Sequence, residues 1–467
     1  MTNKISKMEI KKRFLFIFLL SAIVVAGGFG CKGLSAEEKQ AVQPVSLEYW
    51  TVYDDVDQIR TLINQYTADR AYLTVSVRQL REDEIYTRLV EALADDQGPD
   101  IISIHNRMLP AYQNKLVPMP ASVPDVTTQI VKKKLGTEQI VNMSTVVLPT
   151  AWQLESEYIQ VVKQDVVSGN NIYGLPLSID TMALYYNKDM LDRAGVAEPP
   201  QTWTDFQKAV KKLTKYDQEG GKIVQSGVAL GTGNNVEAFD DLLYILFEQS
   251  NVKFNQGNQA IFNTSQQGSE ITSAMSVINF YTDFANSIKD TYSWNSGMGD
   301  SLNEFVSGKT AFFFGYSYHN SLIKARAPQL NVKILPLLQL DADNPVNSAN
   351  YWVQSVVKKS NKQDEAWALI AYLTHSKATK DYLDNTGRPS ALRAYITEQQ
   401  QNKELAPFVS QVLVAKNWYR GKSYVSAKSS LSHMLDSWLK VPDDSNKTVE
   451  YWQNLLDYTV SQINQTY

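Results

Sequence analysis

The 467-residue sequence is poor in the side chains that build disulfides, metal centres and nucleotide sites. It contains one cysteine, Cys31, so no disulfide can form within the chain and the fold must depend on its hydrophobic core. The four histidines, at positions 105, 319, 375 and 433, include no pair at metal-ligand spacing, and we predict no metal site. The stretch "GTGNN" lacks the third glycine of a dinucleotide fingerprint, and no phosphate-binding loop occurs, so we predict no cofactor.

A strong net charge and long hydrophobic runs are also missing from most of the chain. The formal net charge is −4, and because residues 1–30 carry a net +4, the rest of the chain carries about −8, which argues against nucleic acid as the main partner. One apolar run, residues 14–30, follows the basic residues Lys11, Lys12 and Arg13 and ends at Cys31. A basic segment, an apolar segment and small residues at its end predict an export signal over residues 1–30.

The position of Cys31 predicts how the chain is attached to a membrane. Bacterial lipoprotein signals are cleaved and acylated at such a cysteine, although Gly28 stands where leucine is usual. An uncleaved membrane anchor is the main alternative, and a buried free cysteine in a cytosolic helix is the third. The two leading alternatives place the body outside the cytoplasm, anchored to the cell membrane, with residues 31–45 as a flexible tether.

From Val45 onward, short apolar runs alternate with segments of helical periodicity. Strands are predicted at "VSLEYW", "YLTVSVRQL" and "PDIISIH", and the segments between them place apolar residues at helical spacing. Alternating strands and helices predict an α/β fold with mostly parallel sheets flanked by helices. Ligands of such sheets lie at the carboxyl ends of strands, so the residues that follow the three strands, at positions 50–55, 78–81 and 105–107, are candidate contacts.

The middle of the chain predicts a second α/β body. Its first segment, "YGLPLSIDTMALYYNKDML", is apolar enough for burial yet carries several polar groups. A strand that passes from one lobe to another crosses the crevice between them, where polar side chains can face a ligand. Further along, "NVKILPLL" and "YWVQSVVKKS" are predicted as strands that return to the first body.

Several motifs occur in an order typical of one protein family. They are "GPDIISIHNR", "IYGLPLSIDTMALYYNKDMLDRAGV" with "EPPQTWTDF", "FVSGKTAFFFGYSYHNSL", "SNKQDEAWALIAYLTHSKATKDY" and "TGRPSALR". Together they resemble the extracellular solute-binding proteins of ATP-binding-cassette sugar importers, the family that includes maltose-binding protein. The resemblance runs from about Ser46 to the end of the chain.

This resemblance implies a two-lobed, periplasmic-binding-protein-like II fold with a ligand cleft at the hinge. The implied parts are residues 46–180 for the first lobe, 181–331 for the second, 332–386 for a return to the first, and 387–467 for a helical end mainly in the second. Hinges are expected near Ser178–Met182, Val332–Pro336 and Thr386–Ser390, where a few residues absorb the change on closure.

The function implied by the resemblance is binding without catalysis. The protein is expected to be a monomer that delivers a sugar or oligosaccharide to the transmembrane subunits of an importer, by hinge closure around the ligand. A peptide, a polyamine or another polar solute is the alternative ligand. Two other classes stay open, namely a surface lipoprotein enzyme that acts on glycans through two carboxylates, and an adhesin or scaffold that kept the fold.

Sugars present apolar C–H faces and a rim of hydroxyls, so their sites need aromatic rings and planar hydrogen-bonding side chains. From position and from the resemblance, we predict these ligand contacts: Trp50, Tyr53, Asp54, His105, Asn106, Arg107, Asp180, Asn234, Asn235, Tyr316, Tyr318, Trp352 and Arg388. Alternatives stay open for several of them, since Trp50 can be a core residue and the two asparagine-containing loops can cap the helices that follow. An asparagine also stands where the family has an acidic residue, at Asn106, which leaves the type of ligand open.

Overall fold

The described part of the chain covers both lobes and the segments that join them. A computed structural model describes residues 34–53, 55–133, 136–219, 221–264, 271–440 and 445–467. The predicted signal segment, the predicted lipid-bearing Cys31 and the candidate contact Asp54 lie outside these residues. Within them, no helix combines the length and the apolar character that a bilayer crossing requires.

The helices and strands of residues 34–187 supply the first lobe and the start of the second. In chain order they are α1 (Ala36–Ala41), β1 (Val45–Thr51), α2 (Val56–Thr67), β2 (Leu73–Gln79), α3 (Glu82–Ala94), β3 (Ile101–His105), α4 (Leu109–Tyr112), β4 (Ser122–Lys133), β5 (Gly136–Val147), α5 (Ala151–Glu157), α6 (Gln160–Val166), β6 (Val167–Ser168), β7 (Asn171–Ile172), β8 (Leu175–Pro176), β9 (Asp180–Thr181) and β10 (Ala183–Asn187).

The remaining elements complete the second lobe and return to the first. They are α7 (Lys188–Arg193), α8 (Trp203–Leu213), β11 (Lys215–Tyr216), β12 (Ile223–Val228), α9 (Phe239–Gln249), β13 (Asn255–Gln256), β14 (Gln259–Ala260), α10 (Ser273–Thr282), α11 (Ser301–Val306), β15 (Thr310–Gly315), α12 (Ser317–Arg326), β16 (Val332–Pro336), β17 (Asn347–Asn350), β18 (Trp352–Val356), α13 (Gln363–His375), α14 (Lys377–Thr386), α15 (Ile396–Gln399), α16 (Ala406–Val409), β19 (Ala415–Lys416), α17 (Tyr424–Trp438) and α18 (Ser445–Asn464).

The first lobe forms around a five-stranded sheet in the order β2-β1-β3-β18-β8. The predicted β1, β2 and β3 pair in parallel, whereas β18 and β8 are antiparallel to their neighbours. Helix α2 covers this sheet with Ile59, Leu62, Ile63 and Tyr66, all buried, as their helical spacing predicts. The alternation of strand and helix at the start of the chain is therefore confirmed.

The second lobe forms around another five-stranded sheet, in the order β11-β12-β15-β10-β16. Among its described pairings, β12 with β15 is parallel and the others are antiparallel. The prediction of a mostly parallel sheet is therefore wrong for this lobe, because β10 enters it directly from the crossing segment and runs against both of its neighbours. Helices still flank the sheet, with Phe206 of α8 and Leu243 of α9 buried in one core cluster.

The strand Val332–Pro336 belongs to this second sheet, where it pairs antiparallel with Ala183–Asn187. The prediction that it returns to the first lobe is wrong, because its partner lies in the crossing strand of the second lobe. The return begins later, with β17 and β18. The other predicted lobe boundaries stay predictions.

Three short strands run between the lobes as a separate sheet, in the order β19-β17-β9. Thr181 of β9 pairs with Ala349 of β17, and Asn347 of β17 pairs with Ala415 of β19. The predicted hinge at Ser178–Met182 coincides with the first of these strands. The predicted hinge at Val332–Pro336 does not coincide with any of these strands. In the described chain, the second strand to cross between the lobes is β17, which begins at Asn347.

Candidate functional site

A cavity of about 1030 Å³ lies between the two lobes, beside the crossing strands. Its walls come from the carboxyl ends of β1 and β2, the start of α3, the residue at the end of β3, the loop before β18, and the starts of α12 and α17. Seven aromatic side chains contribute to its lining, namely Tyr53, Tyr86, Tyr112, Tyr318, Tyr351, Trp352 and Tyr424. The cavity therefore presents flat apolar faces from both lobes.

The first-lobe wall consists of rings that stack on one another. Tyr86, in the first turns of α3, packs on Tyr112 with ring centroids 4.9 Å apart and planes 27° apart. Trp352 also lies nearly parallel to Tyr86, with centroids 6.5 Å apart and planes 14° apart. The three rings form a continuous aromatic surface along one side of the cavity.

His105, the last residue of β3, fills the corner between this wall and the second lobe. Its ring lies edge-on to Trp352 at 5.2 Å and parallel to Tyr424 at 6.2 Å. Burial and the nearby positive charge of Arg107 lower the pKa of His105 to about 3. The imidazole is therefore neutral near pH 7, with one nitrogen able to donate and one able to accept.

The second-lobe wall carries Tyr318 from α12. Its ring packs on His319 at 4.1 Å and lies nearly parallel to Tyr316 at 6.0 Å. Burial raises the pKa of the Tyr318 hydroxyl well above its usual value, so it stays protonated and can donate a hydrogen bond.

The side of the cavity nearest the crossing strands carries two charged groups. Asp180 accepts hydrogen bonds from the backbone N–H of Ser317 at 2.8 Å and from its hydroxyl at 2.6 Å. Burial raises the pKa of Asp180 to about 6, although these bonds favour the carboxylate. Arg388 donates through Nε to Asp55 at 2.8 Å, and its guanidinium lies 4.9 Å from the ring centroid of Tyr53.

The structure brings six predicted contacts together at this cavity. They are Tyr53, His105, Asp180, Tyr318, Trp352 and Arg388. Two come from the carboxyl ends of β1 and β3, one from a crossing strand, and three from later segments, as a site between two lobes requires. Their roles as ligand contacts stay predictions.

Trp50 does not reach the cavity, so the alternative of a core residue applies. It is 3% exposed, donates through its indole N–H to Glu48 at 2.5 Å, and has the guanidinium of Arg78 at 5.0 Å from its ring. Trp50 belongs to the buried hydrophobic cluster of the first lobe.

Asn106 and Arg107 also lie outside the cavity lining. Asn106 is 1% exposed and donates to Asp165 at 3.0 Å. Arg107 is 1% exposed and donates to Asp241 of the second lobe, so its charge is already paired by the protein. Of the three predicted residues from the end of β3 onward, His105 lines the cavity and its two neighbours do not.

Three more predicted contacts, Asn234, Asn235 and Tyr316, do not line the cavity either. Asn235 holds the loop before α11, donating to the carbonyl oxygens of Asn295 at 3.0 Å and Met298 at 3.1 Å. Asn234 is exposed and does not line the cavity. Tyr316 is fully buried and donates to Asp241 at 2.5 Å, so Tyr318 is the ring that faces the cavity.

Several lining residues were missed by reasoning from the sequence. They include Tyr86, Tyr112, Asn350, Tyr351 and Tyr424, and the acidic residues Glu82, Asp83 and Glu84. The end of β2 was a candidate by position, and an aromatic residue in the first turns of the helix after it is the signal that could have found Tyr86. Within the described residues, no cluster of histidine, cysteine and carboxylate side chains is suited to hold a metal ion.

Comparison with known proteins places this architecture among binding proteins. A model of the family described as "Bacterial extracellular solute-binding protein" matches residues 61–407. The multiple sugar-binding protein of Streptococcus mutans is 22% identical over 255 residues, covering 53% of this chain and 57% of that protein. The chain thus spans about half the length of the curated relatives it matches.

Solved structures with the same fold include sugar-binding proteins. A solute-binding protein from Thermotoga lettingae bound with α-D-tagatose superposes with a TM-score of 0.65 at 17% identity, covering 90% of this chain and 99% of that one. The cyclic α-maltosyl-1,6-maltose-binding protein of Arthrobacter globiformis gives a TM-score of 0.66 at 16% identity, covering 89% and 99%. At such identities the likeness shows the fold, which is a mixed α/β architecture of two lobes with sheets flanked by helices.

Proposed function

Because the chain belongs to the bacterial extracellular solute-binding proteins, we propose that the cavity between its lobes binds a sugar or oligosaccharide for an ATP-binding-cassette importer. The observation that carries the proposal is the pair of aromatic walls, Tyr86 with Trp352 on one lobe and Tyr318 with Tyr424 on the other. Aromatic faces suit the apolar C–H faces of a pyranose, and their tyrosine hydroxyls suit its polar rim.

The size of the cavity favours an oligosaccharide over a single sugar. Small-molecule sites typically enclose about 300–1,000 Å³. The cavity of about 1030 Å³ stands at the upper end of that range. Similar folds bind ligands from a single sugar, α-D-tagatose, to maltotetraose, so the fold accommodates both sizes.

The polar groups of the cavity supply the hydrogen bonds that orient sugar hydroxyls. His105 in its neutral form both donates and accepts, and the side chain of Asn350 can do the same. Asp180 accepts, and Arg388 donates beside Tyr53. A neutral polyol matches this mixture of donors and acceptors, because each hydroxyl both donates and accepts. A cationic group only donates hydrogen bonds and an anionic group only accepts them, so either would match only some of these side chains.

Delivery requires that the ligand be held and then released to a transmembrane partner. The three crossing strands allow the lobes to close around the ligand, which binds the closed form better and so shifts the equilibrium toward it. The permease subunits of the importer are the partners we propose. Acylation of Cys31 would keep the receptor at the cell membrane beside them, and one chain is enough to form the cavity.

The proposal assigns no reaction to the cavity. The family and the neighbouring structures are binding proteins rather than enzymes. A glycan-hydrolysing site needs two carboxylates placed about 5–10 Å apart across the scissile bond. Here Asp180 accepts two hydrogen bonds from Ser317, which suits it to fixing the crossing strands and contacting a ligand.

Calorimetric titration of the full chain in detergent tests the proposal. The panel contains tagatose, maltose, maltotetraose, mannobiose and mannotriose, with a peptide and a polyamine as the alternative ligands. Saturable binding of at least one saccharide is expected, together with a stability gain of about 2.7 kcal/mol at a ligand concentration 100 times Kd. Binding of only the peptide or the polyamine would overturn the sugar assignment. Release of shortened saccharides during the titration would overturn the assignment to a binding protein.

A further inference from the structure

Arg107 joins the two lobes. It follows β3 of the first lobe, and its backbone N–H donates to Nδ1 of His105 at 3.4 Å. Its guanidinium, however, reaches α9 of the second lobe and is 1% exposed. Arg107 is therefore part of the first lobe through its backbone and is bound to the second lobe through its guanidinium.

The guanidinium binds the carboxylate of Asp241, which lies in the second lobe and accepts hydrogen bonds from several donors. Nη1 of Arg107 donates to Asp241 Oδ2 at 3.0 Å, and Nη2 donates to Oδ1 of the same group, so the pair is bidentate. The Asp241 carboxylate also accepts from the hydroxyls of Tyr316 and Ser348. Ser348 lies on the crossing strand β17, so the bonds of one carboxylate connect both lobes and the crossing strands.

A second ion pair balances the charge around the first. Asp240 lies 3.7 Å from Arg107 and 3.1 Å from Lys428, and it accepts from Tyr424 at 2.6 Å. Both carboxylates and Lys428 belong to the second lobe. When Arg107 is withdrawn, this lobe keeps two buried carboxylates and one cation.

We propose that Arg107 is a positioning residue that stabilises the form in which the lobes touch, here called the closed form, and so sets ligand affinity without contacting the ligand. This inference rests on the proposed function, since it concerns the affinity of the same cavity. A buried ion pair gains little over two hydrated charges, but a buried charge left without its partner is costly. Matched charges therefore permit closure, and a mismatch of either sign opposes it.

The consequence for binding follows from the populations of the two forms. If the ligand binds the closed form, its apparent Kd equals the intrinsic Kd divided by the fraction of closed protein. Together with Asp240 and Lys428 the pair forms a balanced cluster of two cations and two carboxylates, so Arg107→Gln leaves one unmatched negative charge and Asp241→Asn leaves one unmatched positive charge. Each single variant should open the cleft, and the double variant should close it again because both charges are gone.

Spin-label distances in the ligand-free full chain test this directly. Labels on Glu91→Cys of α3 and Ser429→Cys of α17, in a Cys31→Ser background, report the separation of the lobes from two exposed positions. We expect longer distances in Arg107→Gln and in Asp241→Asn, and the original distance in the double variant. Saccharide affinity should weaken by about tenfold or more in each single variant and recover in the double variant.

Arg70→Gln is the matched control. Arg70 forms an ion pair with Asp125 at 2.7 Å, with side chains 10% and 12% exposed, and both residues belong to the first lobe. Breaking this pair should lower the stability of the chain and leave both the label distance and the affinity unchanged. If a single variant of the interlobe pair does not fold, Tyr316→Phe replaces it, since it removes only one donor to Asp241 and should lengthen the distance less.

The outcomes separate this inference from the proposed function. Unchanged label distances in both single variants would overturn the role of Arg107, whatever the ligand is. An affinity loss in Arg107→Gln that Asp241→Asn does not reproduce would show a direct ligand contact and would also overturn it. Failure of every saccharide to bind would overturn the proposed function, while the ligand-free distances would still decide the role of Arg107.

Discussion

The rings of Trp352 and Tyr86 lie nearly parallel, with planes 14° apart and centroids 6.5 Å apart. Tyr86 belongs to α3, early in the first lobe, and Trp352 begins β18, which re-enters that lobe after the chain has built the second sheet. The aromatic wall therefore forms only when the return strand has paired with β3. The first-lobe wall of the cavity thus depends on residues 266 positions apart in the sequence.

Replacement of Trp352 by alanine should weaken saccharide binding by roughly tenfold, with little change in folding stability. The ring is only half-buried and lines the cavity, so its loss removes an apolar face that the ligand would cover. Aromatic pairs contribute about 0.5–1.5 kcal/mol beyond the area they bury, and a loss of about 1.4 kcal/mol is tenfold in Kd. Calorimetric titration with the best saccharide of the panel measures the change.

Trp50→Phe is the matched control for that substitution. Trp50 is 3% exposed and lies under the first sheet rather than at the cavity. The control should therefore lower the free energy of unfolding without changing Kd. Equal Kd values for the Trp352→Ala chain and the wild type would remove Trp352 from the binding surface.

Replacement of Asp180 by asparagine should change how stability depends on pH. Burial raises the pKa of Asp180 to about 6 from its usual value near 4, so the folded chain holds more protons than the unfolded chain between those values. Wild-type stability therefore falls as pH rises through that window, and the cost is complete above about pH 6. The Asp180→Asn chain lacks this fall, so its stability relative to wild type should rise by about 2–3 kcal/mol from pH 4 to 7.

Urea unfolding at pH 4, 5, 6 and 7 measures this difference. Ser317→Ala provides the companion variant, because it removes the hydroxyl donor that favours the carboxylate at 2.6 Å. The fall in stability should then extend to a higher pH. Parallel stability profiles for wild type and Asp180→Asn would contradict the assigned burial effect.

The spacing of apolar residues over short segments predicted those features of the fold that depend on residues close together in the sequence. The spacing of Ile59, Leu62 and Ile63 places α2 on the sheet because helical periodicity is a property of a few consecutive turns. The positions of His105 and Tyr53 at strand ends follow from the same logic, since the carboxyl ends of parallel strands meet at one edge.

The features that sequence reasoning missed depend on partners far along the chain. Arg107 follows a strand as predicted, but Asp241, which takes its charge, lies 134 positions later. The strand Val332–Pro336 has the composition of any buried strand, and only its pairing with Ala183–Asn187 assigns it to the second lobe. The paired strands Ser122–Lys133 and Gly136–Val147 were not predicted at all, since these polar and exposed strands lack the alternation that marks a half-buried sheet.

Replacement of Asn347 by alanine should destabilise the chain by about 2–4 kcal/mol, because several buried hydrogen bonds are lost at once. Asn347 Oδ1 accepts from the backbone N–H of Met182 at 2.9 Å, and its amide donates to the Met182 carbonyl oxygen at 2.9 Å and to Gln411 at 2.7 Å. These bonds tie two crossing strands together. Urea unfolding at pH 7 measures the loss.

Asn344→Ala is the control, because Asn344 donates to Asp341 in an exposed turn. A change of about 0.5 kcal/mol or less is expected there, as for most surface positions. An equally small effect at Asn347 would mean that water replaces its partners without cost, against the assigned role of the crossing strands.

Replacement of His319 by asparagine should make the chain less sensitive to acid. Burial lowers the pKa of His319 to about 3, whereas the unfolded side chain titrates near 6.5, so the unfolded chain binds more protons between those values. Stability is therefore complete above about pH 6.5 and is lost as the pH falls below it, by about 2 kcal/mol at pH 5 for one such histidine. An asparagine oxygen can still accept a hydrogen bond from the backbone N–H of Tyr316, which in the wild-type chain donates to Nδ1 of His319 at 2.9 Å.

Urea unfolding from pH 7 to 5 measures the effect, and the loss of stability should be smaller in His319→Asn than in the wild type. His105→Asn in the other lobe should reduce the loss by a further, independent amount, because burial likewise lowers the pKa of His105 to about 3. Equal losses in wild type and both variants would contradict the neutral, buried state of these imidazoles.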